Sequence, residues 1–243
     1  MAASTQRMHQ VREGIVEKCV DMLAVYRKFC ASSSASGQLI LPESLKLLPL
    51  YGLSLTKTTA LRAGADIKID ERAALIAQAC RLSVAASISF VYPTLYELQL
   101  RPDEYEGART LPPPTIALST ERFEPQRVYI LDSGLQILVW FGRDVPTDVL
   151  TQLLDTPSLN GVDCSQLELQ PPEAGPYAAY VDDVLRSLGS VRGGHYPRPQ
   201  IVTSRDPLET RFLAMLTEDR SQAAMSYVEF LCHVHRQIQT KLT

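Results

Sequence analysis

The sequence predicts an α+β protein: an all-α helical unit over residues 1–110, then a mixed β-sheet flanked by helices over residues 111–243, ending in a long helix. Three observations carry this prediction. From Arg7 to Phe29 apolar residues recur at steps of three and four, the period of an amphipathic helix. From Val128 to Phe141 the pattern changes to runs of β-branched and aromatic residues, which favour strands. Between these regions stand Pro112, Pro113 and Pro114, which cannot continue either ladder and mark a linker or domain boundary.

In the first helix the stripe Met8, Val11, Ile15, Cys19, Met22, Tyr26 and Phe29 is expected to face the core. The small polar run from Ser32 to Gly37 then breaks it. A second helix opens near Pro42, whose missing N–H is harmless in a first turn, and carries Leu45, Leu47, Leu48 and Leu50. Pro49 should end or kink it. Asp70 is the expected N-cap of a third helix, with Glu71 near the positive end of the dipole and Leu75, Ile76, Ala79 and Cys80 on its buried face. Ile88 to Pro93 has strand-like composition closed by a proline, and the polar stretch Arg101 to Gly107 leads into the prolines.

Beyond the boundary, Val128–Leu131 and Gln136–Phe141 flank Asp132, Ser133 and Gly134, a turn signal that predicts an antiparallel hairpin. Gly142 ends its second strand. Asp148–Leu154 has the spacing of a short helix, Ser165–Leu169 that of a strand, and Tyr177–Leu188 that of a helix through Tyr180, Val181, Val184, Leu185 and Leu188. Gln200–Thr203 reads as a strand, Pro207–Leu216 as a helix, and Ser226–Leu242 as the terminal helix.

An apolar fraction of 45% with 21% charged residues is that of a folded globular chain rather than a disordered one. A formal net charge of −3 gives no general attraction to nucleic acid or to an anionic membrane. Cys19, Cys30, Cys80, Cys164 and Cys232 are odd in number, scattered and without a Cys-x-x-Cys pair, and the amino end lacks the apolar core of a secretion signal. Reduced thiols in a cytosolic protein are therefore expected. No stretch approaches the ~20 apolar residues of a membrane span, so any membrane contact is expected to be peripheral.

Catalytic signatures are missing. There is no Gly-x-Ser-x-Gly elbow, phosphate loop or dinucleotide fingerprint, and Gly193-Gly194-His195 has the spacing of none of them and reads as a loop. His233 and His235 stand two residues apart on a predicted helix, about 200° apart around its axis, so they cannot chelate one ion, and Cys232 does not change that. Asp132, Asp144 and Asp148 near the hairpin show no convergence of the six to eight oxygens a calcium ion needs. Trp140 reads as core, the three prolines as linker rather than a polyproline ligand, and Arg220, His233, His235, Arg236 and Lys241 as a mildly basic, solvated helix face. No catalytic, cofactor-binding or metal-ligating residue is assigned.

Two segments carry a family resemblance. SASGQLILPESLKLLPLYGLSL, Ser34 to Leu55, resembles the helical domain of the COPII inner-coat subunits, and Phe90-Val91-Tyr92-Pro93-Thr94-Leu95 is similar to that family's exit from the domain. VYILDSGLQILVWFG is similar to the hairpin of a gelsolin-like fold, which gelsolins and villins share. SYVEFLCHVHRQIQ, Ser226 to Gln239, resembles the terminal helix of the Sec-twenty-four type cargo adaptors rather than of the GTPase-activating sister subunit.

The resemblance implies the C-terminal part of a coat adaptor acting in transport from the endoplasmic reticulum to the Golgi, cytoplasmic and peripheral on the membrane, and not an enzyme. The partners it implies are the sister inner-coat subunit in a heterodimer, the small coat GTPase, outer-coat proteins and cargo receptors, with no nucleic acid. In that family zinc-finger, trunk and β-barrel domains precede this region and carry the main cargo-binding surfaces; zinc is expected only in that upstream finger, and no cofactor here. The competing reading is a calcium-regulated, actin-binding gelsolin relative, against which the helical segment from Arg7 to Phe90 counts.

Overall fold

The computed structural model describes residues 2–242 except 33, 34, 36, 65, 101–109, 191–196, 205, 222 and 223, and leaves aside the side chains of residues 2–6 and 85. The stretch Arg101–Gly107 and the Gly193-Gly194-His195 loop therefore lie outside the described residues, as does part of Ser32–Gly37. In chain order the elements begin with α1 (Ala2–Cys30), α2 (Leu48–Lys57), α3 (Ile69–Ala79), α4 (Val84–Val91), β1 (Thr94–Glu97) and β2 (Thr115–Ile116). They continue with β3 (Val128–Asp132), β4 (Ile137–Phe141), α5 (Thr147–Leu154), α6 (Pro176–Ser190), β5 (Gln200–Thr203), α7 (Pro207–Ala214) and α8 (Tyr227–Leu242).

Two compact units form, one from Met1–Arg81 with Thr217–Thr243 and one from Leu82–Leu216. This departs from a division at residues 110 and 111 on both sides. The terminal helix α8 packs on α1 and α2 and so completes the helical unit, while α4 and β1 belong to the sheet unit. The physical reason is that Phe230, Val234 and Ile238 of α8 find their apolar partners in Val20, Leu23, Ala24 and Leu53.

Helix α1 forms where its period predicts, but it buries a face offset from the expected stripe. Cys19, Val20, Leu23 and Ala24 are buried, whereas Val11, Met22 and Phe29 are exposed, Phe29 at 73%. Successive residues turn by about 100°, so a one-position offset is enough to change faces. Contacts with α2 and α8 select the face. Arg27 is buried on it because its guanidinium donates to the carbonyls of Gln38 and Ala35.

Three local expectations in this half are corrected. Pro49 opens α2 instead of ending the preceding turn, since its ring and missing N–H are tolerated in the first turn; Pro42 instead precedes a short 3-10 turn at Glu43–Leu45. Lys68 rather than Asp70 occupies the N-cap of α3, placing Asp70 and Glu71 in the first turn, and Cys80 is exposed beyond the helix end. Ile88–Val91 is helical: the Ser83 hydroxyl accepts from Ala86 N–H and starts α4, which Pro93 prevents from continuing, and the strand β1 begins after that proline.

The sheet runs in the order β2-β1-β3-β4-β5, antiparallel except for the parallel pair β4–β5. The hairpin β3–β4 forms as its sequence predicts, with Val128 opposite Phe141 and Asp132 opposite Ile137. Gly134 has φ 78°, a left-handed conformation that glycine adopts without strain, and its N–H is accepted by the Asp132 carboxylate. Both strands are buried throughout because helices cover both faces. Val128, Ile130, Ile137, Val139 and Phe141 pack with α5 and α6; Tyr129, Leu131, Leu138 and Trp140 pack with Phe212 of α7 and with Met215 and Leu216. The expected strand at Ser165–Leu169 does not form. Asp163 accepts from Ser165 N–H and starts a 3-10 turn at Cys164–Gln166 instead.

Candidate interaction surface

Within the helical unit Thr217 and Asp219, upstream of α8, are held by Ser54 and Lys57 of α2. Lys57, at the end of α2, is 2% exposed, and its Nζ donates to the carbonyls of Thr217, at 2.8 Å, and Asp219. The Ser54 and Thr217 hydroxyls lie 2.7 Å apart in a hydrogen bond. Burial lowers the Lys57 pKa from its ordinary value to about 8, with Asp219 and Glu229 pulling in the opposite direction. Sequence reasoning passed over this lysine. Its only signal is its place one turn after Leu53, on the face of α2 that the leucines bury.

The start of α8 is a capping box. The Ser226 hydroxyl accepts from Glu229 N–H at 3.3 Å, and the Glu229 carboxylate accepts from Ser226 N–H at 2.9 Å. Arg220 lies 2.9 Å from the other Glu229 oxygen. The Ser226 backbone N–H is the main cause that holds the Glu229 carboxyl below its ordinary pKa. Glu229 thus spends both oxygens on local structure.

Two adjoining concavities flank α8. A hollow of about 670 Å³ between α1 and α8 has an apolar floor of Val16, Val20, Leu53 and Phe230. A second, of about 560 Å³, lies along the outer side of α8 and is lined by Met225, Val228, Cys232 and the basic side chains Arg220, His233 and Arg236. Ala224, Met225 and His233 line both.

The structure separates the residues that sequence reasoning considered together. His233 lines the hollows, while His235 is partly buried on another side of α8, its Nδ1 enclosed without a hydrogen-bond partner among the described residues. Of the basic set, Arg220 pairs with Glu229, Lys241 with Asp21, and Arg236 is exposed. Asp132 holds the hairpin turn, Asp144 pairs with Arg143, and Asp148 accepts from the Tyr177 hydroxyl at 3.3 Å. No group of three or more metal-ligating side chains gathers among the described residues. Trp140 is core, 9% exposed, in an aromatic cluster with Phe123, Tyr129 and Phe212. Pro113 is buried, and the proline run leads directly into β2, which removes it from the class of free polyproline ligands. No described helix is long and apolar enough to cross a membrane.

Comparison with known proteins covers both units. Residues 1–89 match the model of the Sec23/Sec24 helical domain, and residues 109–172 match that of the gelsolin repeat. The human protein transport protein Sec24C is 35% identical over 234 residues, covering 96% of this chain and 21% of that protein. The Arabidopsis thaliana protein transport protein SEC24 C is 38% identical over 233 residues, with the same coverage of 96% and 21%. The crystal structure of the human COPII-coat protein Sec24c superposes with a TM-score of 0.80 at 32% identity, covering 97% of this chain and 29% of that one. The chain therefore spans about a fifth of the length of these curated relatives, 21% in both cases.

Proposed function

The chain carries the Sec23/Sec24 helical domain and the gelsolin-like domain of the Sec24 proteins it matches, and from that premise we propose that it is a structural and protein-interaction region of a COPII cargo adaptor in transport from the endoplasmic reticulum to the Golgi. The observation that carries the reading is a single match running through both domains over 96% of the chain. A gelsolin repeat alone would suit an actin-binding protein equally well; the helical domain joined to it does not.

On this reading the region performs no turnover and holds no cofactor. Its partners, acting through the whole adaptor, are the sister inner-coat subunit, the small coat GTPase, outer-coat proteins and cargo receptors, at the cytoplasmic face of the endoplasmic-reticulum membrane. Asp132, Asp144 and Asp148 are each engaged in local structure, so calcium is expected to leave the thermal midpoint unchanged.

The test is to delete the region from the full-length adaptor and measure heterodimer formation and GTPase-dependent coat assembly on liposomes. Loss of either is expected. Normal behaviour in both assays would remove the region from coat function, and calcium-dependent co-sedimentation with actin would favour the gelsolin reading.

A further inference from the structure

Helix α1 carries a second apolar stripe on the side opposite the one it buries. Val11, Ile15, Met22, Val25 and Phe29 fall at steps of three and four, with Lys18 in the one remaining place of the series. At about 100° per residue these six positions share roughly 80° of arc, centred nearly opposite the buried Val20, Leu23, Ala24 and Arg27. Val11, Met22, Val25 and Phe29 are 43%, 47%, 57% and 73% exposed, so the stripe is bare over most of its length. Apolar surface gathered in this way marks an interaction face. Its spacing is that of a heptad repeat, with Ile15, Met22 and Phe29 at a and Val11, Lys18 and Val25 at d, and such a seam is covered by another helix of the same spacing. Helix α1 is itself a helix of that kind, and a twofold axis across the seam makes it its own complement.

We propose that the outer face of α1 is the seat of a second copy of this chain, the two α1 helices packing antiparallel with Met22 of each opposite Val25 of the other. Lys18 decides the orientation, because parallel pairing sets the two Lys18 ammonium groups against each other inside the seam. In the antiparallel register each Lys18 lies beside Phe29 of the other copy, with its stem along the ring and its ammonium in solvent. The same register brings Asp21 of each copy to Lys28 of the other along one flank. Both groups are available for this. Lys28 has no carboxylate partner among the described residues and rests 5.5 Å from the centre of its own Phe29 ring, and Asp21 meets Lys241 through Oδ1 and keeps Oδ2. A single lysine in an otherwise apolar seam fixes register at a cost in strength, and the three layers formed by Lys18, Met22, Val25 and Phe29, with their symmetry mates, suit a weak dimer.

The test is sedimentation velocity of the 243-residue chain between about 1 and 200 μM, concentrations that bracket a micromolar dimer. The sedimentation coefficient is expected to rise with concentration from that of a monomer to that of a dimer. Val25→Glu puts two carboxylates at the centre of the seam and should weaken the dimer by more than about tenfold. Val25 is exposed in the single chain, so the thermal melt of the variant at low concentration should match the parent; Met22→Gln replaces it if it melts early. Orientation is read from a charge exchange. Lys28→Asp and Asp21→Lys should each weaken the dimer by about fivefold, since each alone sets like charges together twice, and an equimolar mixture of the two variants should regain the parent's association. A monomer at every concentration, a Val25→Glu chain as dimeric as the parent, or a mixture no stronger than its components would each overturn the proposal, the first by leaving the stripe to a different partner.

Discussion

Lys57 on α2 donates through Nζ to the Thr217 carbonyl at 2.8 Å, joining two residues 160 positions apart in sequence within the helical unit. The bond brings the segment before α8 back to α2, at the expense of burying an ammonium. That expense appears as a pKa lowered from 10.5 to about 8. Between those values the unfolded chain holds a proton that the folded chain has released, so stability must rise with pH through that window. The contribution is complete above the unfolded pKa of 10.5 and disappears as pH falls through about 8. Its size is up to about 3 kcal/mol. Urea unfolding of the wild type and of Lys57→Met between pH 7 and 11 should show the difference growing in favour of the wild type. A constant difference across that range would show that Lys57 has the same pKa in the folded and the unfolded chain.

The capping box at the start of α8 gives a second prediction. Ser226→Ala removes the hydroxyl that accepts from Glu229 N–H and leaves a first-turn donor without its side-chain partner. Stability should fall by about 1 kcal/mol. Ser226→Asp, which keeps an acceptor but places a carboxylate beside that of Glu229, should recover only part of the loss. The measurement is chemical denaturation at neutral pH, and an alanine variant as stable as the parent would show that Arg220 and Glu229 hold the helix start without the serine.

The sequence made the hairpin legible because everything that determines it is local: alternating β-branched and aromatic residues, a turn signal, and a glycine at the one position with positive φ. The helix α6 was legible for the same reason, its expected face Tyr180, Val181, Val184, Leu185 and Leu188 being the one buried. Where partners distant in the chain decide, local reading failed. Which side of α1 is inside depends on α8, and nothing local in the sequence of α8, which follows the sheet directly in the chain, signals that its apolar face returns to α1 and α2. The strand-like Ile88–Val91 became helix because a serine cap five residues upstream outweighed β propensity. Lys57 was invisible as a functional or structural centre because its acceptors are backbone carbonyls, which no side-chain pattern reveals.

Gly142 follows β4 at a place where the backbone leaves no room for a side chain. A Cβ built there would stand 2.1 Å from the Pro125 carbonyl oxygen and 3.0 Å from that of Arg127. Both oxygens are committed, accepting from Asp144 N–H at 2.8 Å and Gly142 N–H at 3.0 Å. Relief therefore requires a backbone shift that breaks at least one of these bonds. Gly142→Ala should destabilise the sheet unit by about 3 kcal/mol or more, and Gly161→Ala, where no atom lies within 4 Å, should cost less despite its φ of 75°. Thermal melts of the two variants rank them, and the opposite order would mean that backbone conformation, not crowding, governs glycine at these turns.

The two compact units predict which pieces of the chain fold alone. Residues 82–216 contain all five strands together with α4 to α7, so every strand neighbour and both helical layers are present. A fragment 111–243 loses β1, which lies between β2 and β3, and so opens the buried edge of β3 to solvent. It also carries α8 without α1 and α2, exposing Phe230, Val234 and Ile238, all at least 97% buried in the whole chain. At about 1.5–3 kcal/mol for each large apolar side chain returned to water, that loss is comparable with the whole stability of a small domain. The 82–216 fragment should unfold cooperatively with native near-ultraviolet dichroism from Trp140, whereas 111–243 should aggregate or unfold without a transition. Residues 1–81 should remain poorly ordered until a peptide of residues 217–243 is added, when helicity rises by more than the sum of the parts. Cooperative unfolding of 111–243 near the midpoint of the full chain would instead place α8 with the sheet.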